Sequence, residues 1–411
     1  MANERMIERL TGSSVARPNN ASTYLTWRSQ VPYDIRFDKL PMGIAAKAAP
    51  KEASTAEVRM RAYSSSEDGH AFVEQLEGFP TAVLALLPAS ANVHPSSVDH
   101  LLAIIRRDRT ATVYVNELRQ VATAKVKRAI RKGEAVRKDD ILNVSRMSLE
   151  SVTIPDDAGI IYLFSEGWRK GLYMDLEPLH PDHKPTRHYD YEIAFGQLHA
   201  DLMFQELFRI ANTEWMELFR QRWFPFRSLS TDTIRNMVSY AREGWNLDDL
   251  VETVEQEVRA TLDDTLAGWK KFQMLERHIP LIEKAIQHFR ERDYPSCTAL
   301  MFPQIEGILR VKHTTHSDGL PATQKRLAEI SVVDGEPSLT GRSPLLPGRF
   351  REYLESVYFA RFDPNETNAP ISRNSVAHGV AAVESYNLKA ALLGLLILGQ
   401  IAHYTDIRRK D

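Results

Sequence analysis

A proline-rich stretch over residues 176–188 divides this sequence into two parts with different residue patterns. It contains Pro178, Pro181 and Pro185, and proline is poorly tolerated inside helices and central strands. Residues before the stretch have strand-like patterns, whereas apolar residues after it recur at helical spacing. We therefore predict a linker at this point, which joins an N-terminal α+β domain over residues 51–188 to the helical regions that follow.

Several segments of the N-terminal part have the alternation or the β-branched content of strands. These predicted strands cover residues 57–63, 111–115, 160–164 and 172–176. The last two flank a glycine-containing connection, which predicts a hairpin. Helices are predicted between the strands, over residues 97–107 and 116–132. Residues 1–50 have weak periodicity, so we expect a partly ordered N-terminal arm.

The part after the linker has helical periodicity almost throughout, broken by a loop-rich span over residues 313–347. The helices are predicted over residues 195–219, 246–263, 279–289, 295–311, 349–362 and 372–407, with an interruption of the last near Gly379. Together these patterns predict a mainly α fold. We expect a helical connecting region over residues 189–264 and a helical bundle over residues 265–411.

Composition narrows the possible locations and partners of the chain. Its 411 residues carry a formal net charge of −2, so any nucleic-acid site must be a local patch. One cysteine, Cys297, excludes an internal disulfide and agrees with a reducing compartment. The most apolar run, residues 390–402, is shorter than a membrane span, which favours a core helix or a subunit interface. We therefore predict a cytoplasmic protein without a membrane segment.

Residues 371–379 hold the pattern with the clearest chemical meaning. Arg373 is followed by Asn374 and, after four intervening positions, by His378. On a helix Asn374 and His378 share a face, and the long side chain of Arg373 reaches the same point. An arginine holds phosphoryl oxygens, and a histidine exchanges protons near neutral pH. These three residues therefore favour metal-independent cleavage of RNA, in which the 2′-hydroxyl attacks the adjacent phosphorus.

This arginine–polar–histidine spacing resembles the signature of the HEPN superfamily of helical domains. An upstream segment over residues 301–310, which contains Glu306, also resembles HEPN segments of bacterial defence proteins. The resemblance covers roughly residues 265–411. It implies a metal-independent endoribonuclease that is usually a dimer, with Arg373 as the phosphate-binding cation, His378 as the general acid/base and Asn374 as an orienting residue.

The same resemblance implies the biological setting and the partners. We expect RNA as the substrate, a homodimer formed by the C-terminal helical domain, no cofactor, and a role as a toxin or anti-phage effector. The N-terminal domain would then sense a protein or ligand trigger. Some HEPN domains act only as dimerisation or binding modules, so a non-catalytic module in a regulatory or defence complex is the alternative.

Other interpretations of these residues remain open from the sequence alone. A looser match runs from Arg310 to His316, and both are candidate supporting residues together with Glu306. Arg373 and His378 are also explained as surface residues of a helix start, and Glu306 as a surface partner of Arg310 four positions on. Two groups of residues are weaker candidates for metal ligands: His180, Asp182, His183 and His188, and His313, His316 and Asp318.

Basic residues are concentrated between Arg106 and Lys138. This stretch is the best electrostatic candidate for contact with phosphates. A solvated surface is the commoner explanation of such a pattern.

Overall fold

The structure is a computed structural model that describes residues 31–48, 55–91, 93, 97–181, 186–316, 319–334, 341–363 and 369–405. It is 51% helical and 17% strand, with a multi-sheet N-terminal region followed by helices. The fold is therefore mixed α+β, and the prediction of a mainly α fold is wrong. Of the predicted N-terminal arm, residues 1–30, 49 and 50 lie outside the described residues.

The N-terminal half forms ten strands in the described residues. They are β1 (Tyr33–Arg36), β2 (Ala45–Ala48), β3 (Ala56–Arg59), β4 (Arg61–Ser65), β5 (Leu101–Ile105), β6 (Thr110–Val115), β7 (Gln120–Val126), β8 (Ile141–Leu149), β9 (Gly159–Glu166) and β10 (Arg169–Asp175). Six of them build an antiparallel sheet in the order β1-β6-β5-β9-β10-β4. The pairs β2–β3 and β7–β8 form two further sheets. The predicted β9–β10 hairpin is confirmed.

Two segments predicted as helices contain strands, and this accounts for much of the error in fold class. Strand β5 has the sequence LLAII and lies between β6 and β9, with all five residues buried. A strand covered on both faces loses the polar alternation that identifies strands in a sequence, so a short apolar run fits either element. Strand β7 pairs with β8 and carries the β-branched residues Val121 and Thr123, which favour extended backbone.

The C-terminal half is helical, as the periodicity predicts. With α1 (His70–Ala85), the described helices are α2 (Tyr191–Met203), α3 (Gln205–Phe208), α4 (Asn212–Arg220), α5 (Thr231–Glu243), α6 (Val251–Trp269), α7 (Ile279–Arg290), α8 (Tyr294–His316), α9 (Gln324–Ser331), α10 (Pro347–Tyr353), α11 (Arg373–Ala377) and α12 (Leu388–Thr405). Helix α10 continues into a π-helical segment, Leu354–Tyr358. Helix α8 packs against α7, α9, α11 and α12, so it is the central helix of this half.

The large sheet is covered on both faces because successive residues of a strand alternate between them. Leu101 and Ala103 of β5 belong to one apolar cluster, which includes Phe72 of α1. Leu102 and Ile104 belong to a second cluster, which continues through α2, α8 and α12. The sheet and the helical half therefore share one continuous core.

The predicted linker is folded against the sheet where the structure describes it. A short 3-10 helix, Glu177–Leu179, buries Pro178 and Leu179. Arg187 is buried and donates to a carboxylate oxygen of Asp175 at 3.3 Å and to the carbonyl of Ala158 at 2.7 Å. Pro181 is described, whereas Pro185 lies outside the described residues.

Helix α12 contains the apolar run that favoured a core or interface helix. By length and composition it is the one described helix that meets the requirement for crossing a membrane, and 78% of it is buried inside the chain. Core helices of this kind meet the same requirement. Because the single chain already covers these residues, their apolar character gives no reason to place α12 at a subunit interface.

Candidate functional site

Helix α11 carries the predicted site and is a single short turn with defined ends. The side chain of Ser372 accepts the backbone N–H of Ser375 at 3.0 Å, and the Ser375 hydroxyl accepts the backbone N–H of Ser372 at 2.8 Å. The turn ends at His378 because Gly379 has a φ of 68°, which is left-handed. The predicted interruption near Gly379 is thus confirmed.

Arg373, at the start of α11, forms an ion pair with Glu306 of α8. The Glu306 side chain is only 5% exposed, whereas that of Arg373 is 24% exposed. Glu306 also pairs with Arg310, whose Nη2 lies 2.7 Å from Glu306 Oε1 and whose side chain is half exposed. Partial burial lowers the pKa of the Arg373 guanidinium, although arginine remains charged in proteins. One buried carboxylate therefore holds two arginines at the surface.

Asn374 is buried and fulfils a structural task. Its amide nitrogen donates to the carbonyls of Phe359 at 3.0 Å and Ala360 at 3.2 Å, which follow the π-helical segment. Gln324 of α9 exchanges two hydrogen bonds with the same amide, at 2.5 and 3.2 Å. Arg373 Nη1 also lies 3.3 Å from Asn374 Oδ1. Asn374 therefore ties α11 to two other segments.

His378 is exposed and lies at the end of the turn. Its ring contacts that of Phe362, with 5.5 Å between the ring centroids. Its backbone N–H donates to the Asn374 carbonyl at 3.1 Å, so the predicted four-residue relation holds for the backbone. The side chains differ, since that of Asn374 is buried. Within the described residues, no hydrogen bond or ion pair joins the His378 side chain to Arg373 or Asn374.

His316 lies apart from this group. It ends α8, six residues beyond Arg310, which corresponds to about 9 Å along a helix axis. Its Nε2 lies 3.2 Å from Asp334 Oδ1, and Lys312 Nζ lies 3.0 Å from the other oxygen of that carboxylate. Of the predicted residues, the structure brings together Arg373, Asn374, Glu306 and Arg310, while His316 belongs to a separate charge cluster.

Two further residues, Gln324 and Asp334, contact the candidate residues, and the sequence did not predict either contact. Gln324 holds Asn374, and Asp334 pairs with Lys312 and His316. No spacing pattern in the sequence identifies Gln324 or Asp334 as a partner of these groups. Tertiary packing of the loop-rich span over residues 313–347 brings each of them into contact.

Neither candidate set of metal ligands is assembled in the described part of the chain. Within the described residues, no group of three or more His, Cys, Asp or Glu side chains is arranged to hold a metal ion. Asp182, His183 and Asp318, which belong to the two candidate sets, lie outside the described residues.

The basic stretch between Arg106 and Lys138 makes many contacts within the chain. Arg107 donates to the Pro178 carbonyl at 2.9 Å, and Arg128 pairs with Asp140 at 2.7 Å and Glu134 at 2.6 Å. These cations therefore have structural partners and do not form a uniform solvated face.

Comparison of the chain with protein-family models, curated proteins and solved structures finds no match.

Proposed function

We propose that this protein is a metal-independent endoribonuclease whose site is the turn from Arg373 to His378. The supporting observation is that one turn carries a guanidinium fixed by Glu306 at its start and an exposed imidazole at its end. The two residues are five positions apart in the sequence, which corresponds to about 7.5 Å along a helix axis. An extended arginine side chain and a bound phosphodiester bridge such a gap.

The roles follow from the chemistry of the two side chains. His378 takes the proton of the RNA 2′-hydroxyl, and this oxygen then attacks the adjacent phosphorus. The bond from phosphorus to the 5′-oxygen breaks, which leaves a 2′,3′-cyclic phosphate and a 5′-hydroxyl. Arg373 stabilises the negative charge that develops on the phosphoryl oxygens. DNA lacks the attacking hydroxyl and is not a substrate.

Glu306 and Arg310 act as positioning residues in this proposal. The buried carboxylate fixes the direction of the Arg373 guanidinium, and a prepositioned cation loses less conformational entropy when it binds phosphate. Arg310 adds a second, half-exposed cation beside the same carboxylate. Two arginines and one glutamate leave this cluster with a net positive charge, which attracts RNA.

The wider setting is part of the same proposal. A homodimer would place two Arg373–His378 turns together, so that a second histidine protonates the departing 5′-oxygen. We propose a cytoplasmic toxin or anti-phage effector, in which the N-terminal α+β part responds to a trigger.

A second candidate function is a HEPN-like binding module without catalysis. It is favoured by the tasks that two predicted site residues already perform: Glu306 neutralises Arg373, and Asn374 bonds two backbone carbonyls. On this proposal His378 is a surface residue without a chemical role.

Cleavage of labelled RNA in EDTA by the purified full chain separates the two candidates. His378→Gln should reduce the rate at least about 100-fold, the usual contribution of a general acid/base. His70→Gln is the matched control, since His70 is 86% exposed and remote in sequence, and it should cut as wild type does. Equal rates for His378→Gln and wild type would reject the site. Absence of cleavage by wild type would favour the binding module.

A further inference from the structure

Phe362 lies beside His378, which takes the proton of the 2′-hydroxyl in the proposed reaction. The centroids of the two rings are 5.5 Å apart, and the ring planes are inclined at 52° to each other. The Phe362 side chain is partly exposed, and that of His378 is exposed. A substrate that reaches His378 is therefore able to contact Phe362.

Packing in the core does not account for the Phe362 ring. Within the part of the chain that the structure describes, this ring belongs to neither apolar cluster and is not among the partly buried side chains that pack against them. Phe359, three residues earlier, is 4% exposed and belongs to the larger cluster. The chain therefore leaves the core between these two residues and presents a second phenyl ring at the surface, beside His378.

The backbone that leads to Phe362 is held by the same turn that carries His378. The amide nitrogen of Asn374 donates to the carbonyls of Phe359 at 3.0 Å and Ala360 at 3.2 Å. The backbone N–H of His378 donates in turn to the carbonyl of Asn374 at 3.1 Å. These bonds therefore fix the position of the phenyl ring relative to the histidine.

The chemistry of a ribonucleotide places a base near this ring. The ribose carries its 2′-hydroxyl and its base on neighbouring carbon atoms, so a nucleotide whose hydroxyl reaches His378 brings its base to the same place. In the proposed reaction Arg373 and His378 act on the phosphate and the sugar, which all ribonucleotides share. An aromatic side chain binds a base by stacking, and it does so with little preference for sequence because every base has a π-face.

We propose that Phe362 is the base-stacking residue of the nuclease site and binds the base of the nucleotide whose 2′-hydroxyl attacks. This role rests on the proposed function and adds a contact that the arginine and the histidine do not supply. The phenyl ring has no polar atom, so it selects for the presence of a base and not for its identity. Stacking also holds the ribose in place while His378 takes the proton of its hydroxyl.

Two RNA strands that differ only at the mapped position of cleavage test this contact with the purified full chain. One strand is unmodified, and in the other the nucleotide carries hydrogen in place of its base and keeps its 2′-hydroxyl. Wild type should cut the base-free position with a kcat/KM at least about fivefold lower than the intact strand, the usual effect of one lost stacking contact. Phe362→Ala should cut the intact strand at least about fivefold less efficiently than wild type does, and should cut the two strands equally.

Three further variants separate stacking from an effect on the fold. Phe362→Trp keeps an aromatic ring and should retain the preference for the intact strand. Phe362→Leu keeps an apolar side chain without a π-face and should lose that preference. Phe79→Ala removes a partly buried phenyl ring from α1, on the other face of the sheet, and should cut both strands as wild type does.

The proposal is overturned if wild type cuts the two strands with equal efficiency, or if Phe362→Ala or Phe362→Leu keeps the wild-type preference. Cleavage of the intact strand that still depends on His378 would in these cases leave the proposed function standing. Absence of cleavage by wild type would reject the proposed function and, with it, the role of Phe362.

Discussion

At the candidate site, the buried carboxylate of Glu306 pairs with the guanidinium groups of Arg373 and Arg310. The contact with Arg310 joins residues four positions apart on one helix, and the sequence spacing predicts it. The contact with Arg373 joins α8 to α11 across 67 residues (373 − 306) and depends on tertiary packing. Glu306 therefore also stabilises the fold, because removal of its charge leaves the partly buried Arg373 without a carboxylate partner.

Replacement of Glu306 by Gln should lower the free energy of unfolding by about 2 kcal/mol. This loss is smaller than that for a fully buried ion pair, because Arg373 is partly exposed. Urea unfolding at pH 7.5 measures the change. The control is Glu355→Gln, which removes the carboxylate of an exposed pair with Arg351 at 3.8 Å and should cost less than about 0.5 kcal/mol. Equal losses for the two variants would show that Glu306 does not act as a buried counter-ion.

We expect a loss of stability in mild acid from two histidines, His199, which is buried, and His403, which is partly buried. Burial lowers the pKa of His199 and of His403 to about 3, and His199 Nε2 lies 3.0 Å from the Tyr162 hydroxyl. Below the unfolded pKa of about 6.5, the unfolded chain binds protons that the native state does not. The stability contributed by the neutral rings is therefore complete above pH 6.5 and decreases as the pH falls towards 3.

At pH 5 this difference amounts to about 2 kcal/mol for each histidine. Urea unfolding at pH 7.5 and pH 5.0 should show a decrease of about 4 kcal/mol for wild type. His199→Gln should remove about half of the decrease, and the exposed-residue control His70→Gln should retain all of it. A free energy of unfolding that is equal at the two pH values would contradict native rings that remain neutral at pH 5.

At the scale of elements, α11 shows how far the sequence predicts the site. The motif, the break near Gly379 and the helical character of the flanking segments all follow from local patterns. The direction of each side chain does not, because Asn374 is drawn inwards by the carbonyls of Phe359 and Ala360 while His378 remains in solvent. Helical spacing predicts that Asn374 and His378 converge on one point, and this prediction is wrong, because the Asn374 side chain is buried and that of His378 is exposed.

The difference between local sequence patterns and tertiary packing also explains which elements of the fold were predicted from the sequence. The helices predicted over residues 279–289 and 295–311 are confirmed, as are β6 and the β9–β10 hairpin, whereas α1 and α9 were not predicted as helices. Strand β5 was predicted as a helix because burial on both faces removes alternation from its sequence.

Gly379 should be required for the end of α11. Its φ of 68° is unfavourable for other residues, and a Cβ at this position would meet no atom within 4 Å. Gly379→Ala should therefore cost about 1 kcal/mol through backbone conformation alone. Gly348→Ala in α10 is the matched control, because its Cβ also meets no neighbour and its backbone is helical, so it should be neutral or stabilising. A neutral Gly379→Ala variant would contradict the left-handed end of the turn.

At the scale of the whole molecule, the sheet and the helical half are joined by one apolar core. Leu102 of β5, Phe195 of α2 and Leu396 of α12 all belong to the same cluster. Separate cores would allow the two halves to unfold independently, whereas a shared core couples them.

Calorimetry should therefore show one unfolding transition, with near-UV and far-UV circular dichroism changing together. Trp215 and Trp223 in the helical half and Tyr162 in the sheet, all buried in this cluster, serve as reporters of the two parts. Two transitions separated by more than about 10 °C would show that the halves are independent, since about 1 kcal/mol shifts the melting temperature of a larger domain by only a few degrees.

The proposed chemistry is tested most directly with an RNA strand that carries a single 2′-deoxy nucleotide at the mapped position of cleavage. The purified chain, in EDTA, should cut the all-ribose strand to a 2′,3′-cyclic phosphate and a 5′-hydroxyl, and should leave the substituted position intact. His378→Gln should cut the all-ribose strand at least about 100-fold more slowly than wild type does. Cleavage at the 2′-deoxy position, or products that carry a 5′-phosphate, would contradict attack by the 2′-hydroxyl and the proposed role of His378.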